Sequence, residues 1–79
     1  MTFVYVLRSE LNPEVYYVGI TNDTDRRLSE HNGGQSVHTN KHRPWQLVVS
    51  VGFADPAKAA KFEHYLKSGS GRAFAKRHF

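Results

Sequence analysis

Tyr16-Tyr17-Val18-Gly19-Ile20-Thr21-Asn22-Asp23-Thr24-Asp25-Arg26-Arg27-Leu28-Ser29-Glu30-His31 reads as a strand, a tight turn and a polar helix. Strand alternation sends Tyr16, Val18 and Ile20 to one face and Val15, Tyr17 and Gly19 to the other. Asn22 or Asp23 can cap the helix by accepting a hydrogen bond from an orphan amide, and Gly33 is placed to stop it. Leu28 is the only large apolar residue of this helix. Arg27 and His31 are four apart and project side by side, so a helix that buries Leu28 carries both to the rim of the buried face. Read from the helix alone, the alternative stands equally well: Arg27 pairs with Asp23 in solvent, and His31 faces the dipole at the helix C-terminus.

The elements around this unit define the fold class. Phe3-Val4-Tyr5-Val6-Leu7 is rich in β-branched and aromatic residues and reads as a strand buried on both faces. Ser9 to Glu14, containing Asn12-Pro13, turns the chain into the second strand, Val15 to Ile20. Gly19 inside that strand marks a bulge or a close approach by another backbone or a ligand. Residues Gly33 to Pro44 are polar and aperiodic and read as a mobile loop, of a length that tends to be functional or disordered. In Trp45 to Phe53 the odd positions Trp45, Leu47, Val49, Val51 and Phe53 form one apolar face of a third strand. Asp55-Pro56 starts a helix that runs to about Lys67 and buries Ala59, Phe62 and Leu66, with Glu63 beside that stripe. Ser68-Gly69-Ser70-Gly71 breaks it, and a short basic helix follows from Arg72 to about Arg77, anchored by Phe74. The result is a small α+β fold, a three-stranded antiparallel-type sheet flanked by helices in the order β-β-α-β-α-α.

Length and charge narrow the function. At 79 residues the chain is expected to be one domain, residues 1–79. It has no cysteine, which removes disulfides and thiolate metal sites and fits a cytoplasmic setting. Neither a signal-peptide pattern nor a membrane-length apolar run is expected. The net charge of +4 suits a phosphate-rich partner or a generic soluble surface. Its distribution favours nucleic acid: Lys67, Arg72, Lys76 and Arg77 close the chain with no acid among them, and Lys41 and Arg43 lie in the central loop. His38 and His42 lack a third ligand nearby, which argues against zinc.

Spacing alone does not single out a site. With Phe3-Val4-Tyr5 at a first tyrosine motif, Tyr17-Val18-Gly19 at a second, then Arg27, His31, Thr39-Asn40-Lys41, Arg43-Pro44-Trp45 and Ala60 through Glu63 to Lys67, the chain resembles the GIY-YIG endonuclease domain, in particular its small single-domain bacterial members. Phe3 stands where the first motif has glycine. No asparagine follows Asn40, although some of these nucleases carry one after the metal-binding glutamate.

The resemblance implies hydrolysis of phosphodiester bonds in nucleic acid, DNA in the first instance, in settings that include DNA repair. Tyr5, Tyr17, Arg27 and His31 are then catalytic. Tyr5 is the expected base for water, with its pKa lowered by Arg27, Lys41 or metal, and Tyr17 orients water or phosphate. Arg27 binds phosphate oxygens, and His31 hydrogen-bonds a tyrosine or relays its proton. Glu63 holds Mg²⁺ or Mn²⁺. Lys41, Arg43, Lys67, Arg72, Lys76 and Arg77 contact nucleic acid, and a protein partner is a possible source of specificity. The competing expectation is a nucleic-acid-binding module on the same fold that does not cleave, or cleaves only with a partner.

Overall fold

In a computed structural model that describes residues 1–79, strand β1 (Thr2–Ser9) lies at the centre of the sheet, between β2 (Tyr16–Thr21) and β3 (Trp45–Phe53), and both pairings are antiparallel. Helix α1 (Thr24–Asn32) connects β2 to β3, and α2 (Pro56–Leu66) and α3 (Gly69–His78) complete the chain. The order β-β-α-β-α-α is the expected one. No helix is long and apolar enough to cross a membrane.

The central position of β1 follows from its composition. Val4, Tyr5, Val6 and Leu7 are all buried, which a strand achieves only when both of its faces are covered. Val4 and Val6 pack with Ala59 and Leu66 of α2 and with Phe62 and Phe74. Tyr5 and Leu7 pack with Trp45, Tyr17 and Leu28 of α1. The sheet is therefore the middle of three layers, with α1 on one face and α2 and α3 on the other.

One expectation is corrected in β3. Val6 pairs with Val49, but Leu7 pairs with Leu47, so Val48 is an extra residue in the ladder. Such a bulge shifts the alternation by one position. Trp45 and Leu47 join the α1 face, whereas Val49 and Phe53 pack with Val4 and Val6 on the other. The odd-numbered apolar residues of β3 thus serve both faces. Ser50, opposite Tyr5, lies on the α1 side, and its hydroxyl is 2.7 Å from that of Thr24.

Capping sets the helix boundaries. Asp23 accepts from the Arg26 amide at 3.0 Å, and Gly33 ends α1. Asp55 accepts from the Ala57 amide at 2.9 Å ahead of Pro56. Helix α3 starts earlier than expected, at Gly69, because the Ser68 hydroxyl caps it by accepting from the Gly71 amide at 3.1 Å. Gly71 acts as a close contact rather than a breaker: it is buried against the Tyr65 carbonyl, where a Cβ has no room. Phe74 is the anchor, edge-on to Phe62 and Tyr65.

Gly19 faces Tyr5 across the β1–β2 ladder, and a Cβ there would collide with the Tyr5 hydroxyl and ring. The close approach expected at this glycine is made by a side chain of the same domain. Gly19→Ala should overpack this contact and cost about 1–3 kcal/mol, read as a lower urea midpoint. Gly69→Ala, whose Cβ meets nothing, should leave the midpoint unchanged or raise it.

Candidate active site

The α1 side of the sheet is held together by polar groups. Tyr5 is 1% exposed, so its hydroxyl needs an internal partner. His31, in the last turn of α1, supplies one: its Nε2 lies 2.9 Å from the Tyr5 hydroxyl. The opposite ring nitrogen, Nδ1, is 2.7 Å from the Thr39 hydroxyl. The Thr39 carbonyl accepts from the Trp45 indole at 2.9 Å. Tyr17 closes the group from β2, its ring centroid 4.9 Å from His31 and 6.2 Å from Tyr5. These hydrogen bonds run through Tyr5, His31, Thr39 and Trp45 and leave the half-buried Tyr17 hydroxyl facing the open side.

The loop after α1 is built around this group. It contains a 3₁₀ turn at Asn40–His42, and its one fully buried residue is Thr39. The Ser9 hydroxyl donates to the His42 carbonyl at 2.6 Å. Asn32 bonds the backbone of Trp45 through both its amide nitrogen and its amide oxygen. A segment whose composition suggests mobility is thus tied down at several points.

Arg27 lies at the edge of the group, with its side chain 31% exposed. Its partner is Glu30, at 3.0 Å, and not Asp23, whose carboxylate is committed to the helix cap. The guanidinium is also close enough to Tyr5 for each to influence the ionisation of the other.

Electrostatics follow from burial. Burial raises the Tyr5 pKa, against the opposing hydrogen bond from Arg27, while the neighbouring Tyr17 and Glu30 raise it further. The sequence-based expectation of a lowered pKa at Tyr5 is not met in this fold. Arg27 is pushed up, chiefly by its hydrogen bond to Glu30. His31 is held below its ordinary value by burial and then by the Arg27 charge, with Glu30 opposing. At neutral pH it is a neutral ring with one N–H and one bare nitrogen.

The remaining expected residues make no hydrogen bond or ion pair with this group, although Tyr17 lines one groove with Lys67, Arg72 and Lys76. Glu63 projects from α2, which packs on the opposite face of the sheet. Its half-buried carboxylate is 2.6 Å from Lys67, and no hydrogen bond or ion pair joins it to Tyr5, Tyr17, Arg27 or His31. No three His, Asp or Glu residues gather as a metal cluster. As a donor set, one carboxylate oxygen pair suits Mg²⁺ only if water and phosphate oxygens fill the rest of the shell.

The basic residues divide between the two faces. Lys41 is exposed in the central loop, and Arg43 reaches the Asn32 carbonyl at 3.5 Å. Lys67, Arg72 and Lys76 line a groove of about 850 Å³ against α2 and α3, whose floor includes Val6 and Leu66. Arg77 is exposed on α3. Thr39 and Glu30 were missed in the sequence. Glu30 was visible three residues after Arg27, and Thr39 stood in the Thr39-Asn40-Lys41 segment of the resemblance without being assigned a role.

Unfolded His31 should titrate near 6.5, above its folded value, so protonation favours the unfolded chain. The His31 contribution is intact above about pH 6.5 and is lost as pH falls from there through the lower folded value. Urea midpoints should fall over that range, and His31→Gln should flatten the decline. An equally steep decline in the variant would assign it to other groups.

Comparison with known proteins gives this geometry a context. A model of the GIY-YIG catalytic domain matches residues 1–77. The chain is 46% identical over 66 residues to the structure-specific endonuclease subunit SLX1 of Podospora anserina, covering 76% of this chain and 19% of that protein. It is 42% identical over 71 residues to the protein of the same name in Chaetomium globosum, covering 82% of this chain and 22% of the relative. For the Candida dubliniensis protein the figures are 44% over 71 residues, 81% and 25%. These relatives are fungal, whereas the sequence resembles small bacterial members, and the chain spans about a fifth to a quarter of their length. With tyrosines from two adjacent strands and an arginine and histidine from the following helix meeting on one face, and a family match that leaves out only the last two residues, the chain belongs to the GIY-YIG family.

Proposed function

We propose that this domain is a metal-assisted endonuclease that hydrolyses phosphodiester bonds in DNA. The observation that carries the reading is the meeting of Tyr5, Tyr17, Arg27 and His31 on the α1 face. The names of the relatives extend it: the preferred substrate is branched or otherwise structured DNA, of the kind met in repair, and the domain works with a protein partner.

Each side chain has a part set by its position. Tyr17 has its hydroxyl toward the open side and is the group that meets the attacking water. Tyr5, which the sequence suggested as base, is too buried for that contact and acts behind it. Arg27 is partly exposed and carries a fixed positive charge, so it binds the phosphoryl oxygens as negative charge builds on them. Its tie to Glu30 holds it at the rim. His31 and Tyr5 form the wall on which Arg27 and Tyr17 are set. Glu63 is the residue to hold Mg²⁺ or Mn²⁺, after exchanging Lys67 for the metal. When bound, such an ion would stabilise charge on the leaving 3′ oxygen of a phosphate seated in the groove that Tyr17 lines with Lys67. Lys41 and Arg43 are placed to contact the DNA backbone near the tyrosines, and Lys67, Arg72, Lys76 and Arg77 contact more distant phosphates.

A second reading is favoured by one observation, the Glu63–Lys67 ion pair on the far helix. In that reading the domain binds nucleic acid without cleaving it unless a partner completes the metal site.

Purified protein with branched, single-stranded and duplex DNA and Mg²⁺ or Mn²⁺ should give nicked product, best on branched DNA. Arg27→Ala and Tyr17→Phe should each lower the rate about 10²-fold or more, and Glu63→Gln or EDTA should abolish the metal-dependent rate. Salt-sensitive binding with no product, unaltered by Glu63→Gln, would select the binding module. Cleavage that survives all three substitutions would overturn the assignment of these residues.

A further inference from the structure

Thr39 is 1% exposed in a loop whose other residues are mostly open to solvent. Its carbonyl accepts from the Trp45 indole at 2.9 Å and from the His42 amide at 3.2 Å. The backbone is thus fixed independently of the side chain, which is left to aim its hydroxyl at His31 Nδ1, 2.7 Å away. Packing alone would be satisfied by valine, which has the same branched shape. The hydroxyl therefore calls for its own explanation.

A neutral imidazole offers one donor and one acceptor, and the tautomer is set by what each nitrogen meets. On one side is the Tyr5 hydroxyl, at 2.9 Å from Nε2. A phenol, with an ordinary pKa of about 10, is a much better donor than an aliphatic alcohol. A bare imidazole nitrogen is in turn a better acceptor than a phenol oxygen. The strongest arrangement gives the Tyr5 hydrogen to Nε2 and places the ring's own hydrogen on Nδ1. That N–H is buried and needs an acceptor, and the Thr39 oxygen is the one present.

We propose that Thr39 is a positioning residue that holds His31 in the Nδ1–H tautomer, so that bare Nε2 accepts the Tyr5 hydroxyl. The donors then run inward, from Tyr5 to His31 and from His31 to Thr39. The Tyr5 oxygen is left with its lone pairs toward Arg27, which fixes the guanidinium at the rim. The tautomer is a property of the folded chain alone. Its effect on cleavage rests on the nuclease reading.

The test is a long-range ¹H–¹⁵N spectrum of the imidazole rings at neutral pH, with His31 assigned by the loss of its signals in His31→Gln. Wild type should show a protonated Nδ1 and a bare Nε2 at His31. Thr39→Val should move His31 toward the Nε2–H form, and Thr39→Ser should restore the wild-type pattern. On branched DNA with Mg²⁺, Thr39→Val should lower kcat about tenfold or more with KM nearly unchanged, and Thr39→Ser should recover it. An Nε2–H ring in wild type, or an unchanged tautomer in a folded Thr39→Val, overturns the proposal. If Thr39→Val does not fold, the wild-type spectrum alone decides. A wild type with the expected tautomer but no cleavage sinks the nuclease reading and leaves the tautomer assignment standing. An altered tautomer with undiminished kcat overturns the link from Thr39 to the reaction.

Discussion

The middle of strand β1, Val4 to Leu7, meets water on neither of its faces, and the rest of the domain answers to that constraint. Its even-numbered side, Val4 and Val6, is satisfied by hydrocarbon from α2 and α3. Its odd-numbered side includes Tyr5, whose hydroxyl is sealed in by Gly19 and cannot be left unpaired. A buried hydroxyl without a partner costs about 1–3 kcal/mol. His31 supplies the partner, Thr39 supplies His31 with one, and Trp45 secures the Thr39 backbone. The polar array on the α1 face is in this sense a requirement of the core.

The two outer layers hold the sheet by different means. The α2–α3 layer is built on Ala59, Leu66, Phe62 and Phe74, with rings packed edge to face. The α1 layer has little beyond Leu28 to offer in apolar contact, and it is fastened by directed bonds: Tyr5 to His31, Thr24 to Ser50, Asn32 to Trp45. Hydrogen bonds fix angles and distances more narrowly than hydrocarbon contact does. A site that must hold an arginine and two tyrosines in register benefits from that. Arg27 and Glu30 keep opposite charges at its mouth, while the interior ring of His31 stays neutral.

Much of this fold was legible. The polar helix Thr24–Asn32 and the strand Trp45–Phe53 coincide with their sequence boundaries, because Asp23, Gly33 and the alternating apolar residues are strong local signals. That Arg27 and His31 share one side of α1 was readable from helical spacing, but His31 is fully buried and only Arg27 sits at the rim. What was hidden depends on contacts between distant segments. An extra residue at Val48 leaves the alternation of β3 intact on paper, and only the partner strand reveals the slip. The glycines at the start of α3 look like a break until Ser68 caps them and Gly71 meets Tyr65. Thr39 stood in a segment that carries the resemblance, but only the fold brings its hydroxyl to His31. That Glu63 and Arg27 rise from helices on opposite faces follows from which side of β1 each helix covers, a three-dimensional fact that residue types do not encode.

The slip at Val48 also bears on how this strand can vary in length. It behaves like two phases spliced at a single position, with Trp45 and Leu47 belonging to the phase that roofs the tyrosines and Val49 and Phe53 to the phase that floors the opposite layer. Removing that one residue would leave a regularly alternating strand with Trp45 still opposite Ser9, whereas drawing Val48 into the ladder would turn Trp45 away from Thr39. An insertion or a lost slip between Trp45 and Val49 is thus more disruptive than a deletion there, whatever the side chain.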